Sequence, residues 1–292
     1  MANLLNGMDI FGLKVGRFGG AKSETGNLGT NRPRNANGIR LARQSGGWVV
    51  GDVIRRESHT YESVLKAIAE GHHTPGELAQ VLGQTSSYLS PYLKQLEALH
   101  LVERRIPATV PPDKRAASRD SRYFLADAYL RFYFRFLAPN LMLVEQEQQE
   151  LLWERIAEQL RAFVAGTFEE LCRDWVLSLA RRGALPLVPE IVGSHWSKTV
   201  QVDVLAVSWR DRTVLVGECK WGQDRIGKAV VTELLDKGIR LRDDVFAGEG
   251  WRLHYVLFAR VGFSEAAKQE AAGHGVMLVD AEQMDEALAA GK

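Results

Sequence analysis

Two apolar segments in the second half of the chain carry ionisable residues where a strand normally has none. Thr199–Val207 reads Thr-Val-Gln-Val-Asp-Val-Leu-Ala-Val, and Val214–Trp221 reads Val-Leu-Val-Gly-Glu-Cys-Lys-Trp. Their β-branched and apolar content predicts two strands, and the polar stretch Ser208–Thr213 predicts the turn that makes them antiparallel neighbours. Carboxylates are depleted in strands and are seldom buried unless paired or bound to metal. Side chains alternate along a strand, so Glu218 and Lys220 share a face and Cys219 takes the other. Pairing across the turn brings Asp203 beside Glu218.

Two carboxylates sharing a site repel, and a divalent cation relieves that repulsion. One or two carboxylates with waters retained suit Mg²⁺, or Mn²⁺, so Asp203 and Glu218 are the expected ligands. Such an ion lowers the pKa of a bound water and steadies the leaving oxygen of a phosphodiester. Lys220 would orient the water or hold charge developing on phosphate. The plainer alternative is a salt bridge of Lys220 with Glu218 or Asp203, which exposed strands also carry. Cys219 reads as a small apolar thiol rather than a nucleophile, because no histidine lies near it in sequence.

The segments around this pair predict a mixed α/β domain. Leu160–Ala180 is an amphipathic helix with Val164, Phe168, Leu171, Cys172, Trp175 and Leu179 on one side. A short strand is expected near Leu185–Ile191. After the two central strands come a helix over 229–242, a strand Leu253–Phe258, a helix from Ser264 and a strand Val276–Val279.

Upstream, the apolar period becomes helical. Val64, Leu65, Ile68 and Ala69 recur at helical spacing, and Gly71 can end that helix. Thr74, Pro75 and Glu77 form a capping-box start for a second helix, with Leu78, Val81 and Leu82 facing inward before Gly83. Thr85-Ser86-Ser87 opens a third, carrying Leu89, Tyr92, Leu93, Leu96 and Leu99. Leu101–Ile106 and Arg122–Leu125 read as a hairpin. Helix-turn-helix followed by a hairpin is a winged helix. Ser86, Ser87, Tyr88, Ser90 and Lys94 fall on the early turns that touch base edges in this motif. Residues 102–122 hold six Lys/Arg against three acids, so Arg104 and Arg105 are candidate phosphate contacts. Pro91 lies inside the recognition helix, which must start later, near Ser87 or Ser90, or bend. Winged helices also serve as protein–protein modules.

Between the two parts, residues 126–165 are rich in Phe and Tyr at helical spacing, which fits a packed connector better than a base-stacking surface. The leader differs again. Its first 51 residues hold 11 of the 27 glycines, and such a stretch buries too little apolar surface to offset ordering. Its Gly16–Ser23 segment approximates a phosphate loop, but Ala21 stands at the second glycine. The expected organisation is a basic, Gly-rich, disordered leader over 1–50, a winged helix over 51–126, a helical connector over 127–158 and the α/β domain over 159–292.

Composition narrows the setting. The formal net charge is +1, so a nucleic-acid surface must come from local clustering. Two cysteines without a CxxC exclude a zinc ribbon and fit a reducing cytoplasm. No apolar run approaches the length of a membrane span, so no membrane partner is expected.

Asp203, a gap of 14 residues and Glu218-Cys219-Lys220 resemble the PD-(D/E)XK phosphodiesterase superfamily. That resemblance implies a restriction-endonuclease-like fold with Asp203, Glu218 and Lys220 in the site, joined by a glutamate from the preceding helix. Glu169 and Glu170 are the candidates, and Glu169 is preferred because it borders the apolar stripe. Ser86–Leu96, Leu130–Phe136, Gly166–Glu170, Val202–Val204, Gly217–Trp221 and Tyr255–Phe258 further resemble the C-terminal region of archaeal and bacterial DEXX-box ATPases of unknown function. In that family a winged helix precedes a nuclease-like domain, and an ATPase module lies upstream. The sequence offers no counterpart to the module, through truncation or loss, so ATP hydrolysis is not carried over. The expected function is a double-stranded DNA-binding protein with a Mg²⁺-dependent endonuclease domain. The alternative is a catalytically inactive DNA-binding or regulatory module that partners an ATPase.

Overall fold

A computed structural model describes residues 58–246 and 250–289. The leader, with its Gly16–Ser23 segment, lies outside the described residues. The first three helices are α1 (Ser58–Ala69), α2 (Pro75–Val81) and α3 (Ser86–Ala98), and β1 (Val102–Arg105) and β2 (Arg122–Leu125) pair antiparallel behind them. This is the winged helix. Thr74 and Glu77 complete the capping box of α2, with Pro75 at the start. Gly83 at φ 61° makes the turn into α3, a conformation other residues resist. Leu78, Leu89, Tyr92, Leu93 and Leu96 are buried as the spacing predicts, but Val81 is 47% exposed. It stands at the last position of a two-turn helix, beyond the face that meets α1 and α3.

Thr85 caps α3, and the helix continues through Pro91 rather than starting later. Pro91 removes the amide partner of the Ser87 carbonyl, and both residues are exposed, so water can serve that carbonyl.

The connector consists of α4 (Ala128–Phe132), a π-type turn (Tyr133–Leu137), a 3₁₀ turn and α5 (Leu141–Glu145). Phe132 and Phe136 pack on Phe163 of the next helix, so these aromatics are packing residues. That helix, α6 (Gln149–Arg181), runs unbroken past residue 158. Its first turns are largely exposed, Leu151 and Trp153 included, and the stripe that packs on the sheet begins later. Leu171, placed on the stripe by spacing, is exposed.

The sheet order is β3 (Ile191–Trp196), β4 (Gln201–Ser208), β5 (Thr213–Lys220), β6 (Arg252–Ala259) and β7 (Val276–Asp280). The first three strands are antiparallel, and β5, β6 and β7 run parallel. Helices α7 (Lys228–Val245) and α8 (Glu265–His274) provide the crossovers, and α9 (Ala281–Ala289) follows β7. The helices cover both faces. Val231, Leu234, Leu241, Ala267 and Ala271 pack against Val214, Val216 and Leu257 on one side. Phe168, Cys172, Trp175, Val176 and Met284 pack against Val204, Leu215, Val256 and Phe258 on the other. Burial on both faces explains the nearly continuous apolar runs of the central strands. The chain is thus a winged helix followed by a mixed α/β domain, compatible with a nuclease-like fold. Among the described residues no helix is long and apolar enough to cross a membrane.

The wing loop covers the outer edge of β3. Ala108 N–H donates to Ser194 O at 2.8 Å, and Thr109 Oγ1 meets His195 Nδ1 at 2.8 Å. An edge strand left open would offer unpaired backbone to other chains, and this contact closes it.

Candidate functional site

Val204 pairs with Gly217 across the β4–β5 turn. Asp203 and Glu218 are the next residues on the two strands, and their carboxyls lie close enough for Glu218 to raise the Asp203 pKa. The close approach depends on Gly217, where a Cβ would come within 2.9 Å of Val204 Cβ. β4 is also irregular here. Between the pairs Gly193–Leu205 and His195–Val202, β3 advances two residues while β4 advances three. The extra residue falls beside Asp203, and a bulge of this kind re-aims the side chain next to it.

Asp203 Oδ2 accepts the Cys219 N–H at 3.0 Å, and its carbonyl accepts from Arg173 of α6 at 2.9 Å. Glu218 is 12% exposed and holds two ammonium groups, Lys220 Nζ on Oε1 at 2.9 Å and Lys237 Nζ on Oε2. The Lys220 salt bridge anticipated as the plainer reading is therefore present, but Glu218 is nearly buried rather than on an open surface.

The two glutamates of α6 divide. Glu170 turns to the winged helix and connector, where it binds Arg105 at 2.8 Å and Arg131. Despite burial, the Arg131 and Arg105 guanidiniums hold its carboxyl below the usual range. Glu169 faces the strands instead, with Arg173 at 3.8 Å. Burial first, and then the charges of Asp203 and Glu218, push its carboxyl up to about 7. Asp203 is raised as well, by burial and then by Glu218, against the opposing pull of the Cys219 amide, Lys237 and Lys220. Lys220 stays firmly protonated because its bond and charge interaction with Glu218 outweigh burial. Burial, then the Cys172 thiol and the nearby carboxylates, raise the Cys219 thiol well above its ordinary value. It is a poor nucleophile.

Burial is the first cause of the raised Asp203 and Glu169 carboxyls and the neighbouring carboxylates the second, so a hard cation beside them would favour their charged forms. Among the described residues no group of three or more His, Cys, Asp or Glu side chains is gathered as a metal cage. The donors on offer to a cation would be the Asp203 and Glu218 pair, and Glu169 would contribute its charge. Trp221, directly after the tripeptide, lies between Phe168 at 5.0 Å and the Arg260 guanidinium at 4.7 Å.

Sequence reasoning missed Lys237 and Arg173. Both lie on helices, where charged residues raise no question; the only signal is their helical phase toward the sheet.

The winged-helix candidates separate into two groups. Ser86, Ser87, Tyr88, Ser90 and Lys94 are all exposed along α3. Arg104 and Arg105 are engaged within the chain. Arg104 donates to Ser118 O at 2.7 Å, and Arg105 binds Glu103 and Glu170 while stacking on Phe124 at 4.4 Å. Lys114 and Arg119 are the wing cations that stay exposed.

Comparison with known proteins adds relatives without an assigned role. The chain is 32% identical over 183 residues to the uncharacterized protein MJECL04 of Methanocaldococcus jannaschii, an alignment covering 62% of this chain and 40% of that one. The chain thus spans well under half of that relative's length. No solved structure gives a match. Residues 133–231, which hold Glu169, Asp203, Glu218 and Lys220, match the model of the DUF234 family, described as archaea bacterial proteins of unknown function.

Proposed function

We propose that this chain binds double-stranded DNA and that its α/β domain is a Mg²⁺- or Mn²⁺-dependent endonuclease. The observation that carries this reading is the meeting of Asp203, Glu218 and Lys220 on adjacent strands with Glu169 of α6. When bound, a divalent cation supplies an acidified water and charge for the departing oxygen. Asp203 and Glu218 would hold it. Lys220, on the same strand face as Glu218, orients the water or stabilises charge on the phosphate. Glu169, with its raised pKa, can carry a proton near neutral pH. The exposed Ser86, Ser87, Tyr88, Ser90 and Lys94 of α3 present the duplex-facing surface, and Lys114 and Arg119 add phosphate contacts.

A second reading is a catalytically inactive DNA-binding or regulatory module that partners an ATPase. One observation favours it: both Glu218 oxygens already hold ammonium groups. Nicking of supercoiled plasmid with Mg²⁺ or Mn²⁺ separates the two. The endonuclease reading expects metal-dependent nicking that falls about 100-fold or more in Lys220→Ala. Metal-dependent nicking that survives this change would remove Lys220 from the site. Absence of nicking by the wild type would leave the regulatory reading.

A further inference from the structure

Lys237 reaches the site from α7, in the helical layer over the strand face that carries Glu218. Gly238 makes this reach possible. A Cβ there would lie 2.4 Å from Tyr255 Cε1 of β6, so only glycine lets α7 lie this close to the sheet. The resulting pair with Glu218 is sheltered, with Lys237 20% and Glu218 12% exposed. Lys220 holds the other oxygen but is more open, at 34%. Glu218 is thus neutralised from two elements, its own strand and a helix of the next layer.

This arrangement bears on any cation that uses Glu218. A divalent ion on that carboxylate would stand within a few ångströms of two ammonium charges, and like charges at such range in a sheltered site repel strongly. One ammonium must move. Lys220 is carried on the strand that bears Glu218 and follows it by two residues. Lys237 is tethered to a different element by a four-carbon stem with several rotatable bonds, and can withdraw without moving the sheet.

We propose that Lys237 is a built-in counter-ion that holds Glu218 while the site is metal-free, is displaced when Mg²⁺ or Mn²⁺ binds, and thereby sets metal affinity. This rests on the metal-site reading above. Lys237 is a positioning residue in this account: it acts on the site through Glu218. Linkage makes the effect reciprocal, since metal binding weakens the Lys237–Glu218 pair as much as that pair weakens metal binding.

The test is Mn²⁺ binding to the full chain without DNA, followed by the electron paramagnetic resonance signal of free Mn²⁺. Lys237→Met keeps the stem and removes the charge, and Lys237→Gln serves if the methionine variant melts early. Lys237→Arg keeps the charge. The expected result is binding on the order of tenfold tighter in Lys237→Met or Lys237→Gln, near-wild-type binding in Lys237→Arg, and loss of binding when Asp203→Asn is added. Equal or weaker binding in the charge-removed variants, with binding still abolished by Asp203→Asn, overturns the counter-ion role and leaves the metal site standing. Binding that ignores Asp203→Asn, or no binding by any variant, overturns both.

Discussion

Glu169 is a carboxyl group held where its charged form is costly. Its pKa near 7 arises from burial and from the charges of Asp203 and Glu218, with Arg173 opposing. The unfolded chain releases this proton at ordinary glutamate values, so the folded state binds it more tightly. The stability it contributes is complete below about pH 4.5 and is lost as pH rises through about 7. Glu169→Gln has no such proton to lose. Its melting temperature should therefore exceed that of the wild type above pH 7, with the gap closing toward pH 4.5. Because 37% of the Glu169 side chain is exposed, solvent reduces the size of the gap. Parallel melting curves across pH 4–8 would remove the electrostatic account of this residue. Asp203, Glu218 and Lys220 were legible in the sequence because charge is out of place in an apolar strand. Lys237 and Arg173 were not, since a lysine or arginine on an amphipathic helix is ordinary until its neighbours are known.

Elements bring these residues together through close approaches that only small residues allow. Gly217 lets β5 lie against β4, and Gly238 lets α7 settle on Tyr255 of β6. Gly238→Ala would force a methyl into the Tyr255 ring and lift the helix that carries Lys237. Overpacking of this kind costs about 1–3 kcal/mol, which a denaturant titration would register as a lower midpoint at unchanged slope. An unchanged midpoint would mean the ring moves aside freely. The capping box of α2, the two central strands and the parallel strands were legible from cap chemistry and apolar runs. Three features were less so. β3 lies later than expected because Ile191–Trp196 contains Gly193, Ser194 and His195 and gains its order from β4 and the wing loop. The start of α6 is hidden because its first turns, apolar Leu151 and Trp153 included, are exposed, and α9, which buries Met284, follows β7 with no residue between them.

Across the whole molecule, the winged helix is fastened to the α/β domain by polar contacts beside the site. Arg105 of β1 and Arg131 of α4 share Glu170, one residue from Glu169, while Arg122 stacks on Trp196 at 4.8 Å. Of the two wing arginines that charge clustering offered for phosphate contacts, Arg105 joins the domains through Glu170, while Arg104 bonds Ser118 O within the wing. Net positive charge in the segment could not distinguish these uses, because both employ the same guanidinium. The exposed face of α3 is the surface that the proposed duplex binding would use, and Glu169 shares a helix with Glu170, which anchors the wing. The proposed activity requires that Asp203 and Glu218 form one cation site, and crystals soaked in Mn²⁺ and measured for anomalous scattering test that most directly. The predicted result is a single peak about 2 Å from an oxygen of each carboxylate, lost in Asp203→Asn. A peak elsewhere, or no peak at this pair, would contradict it.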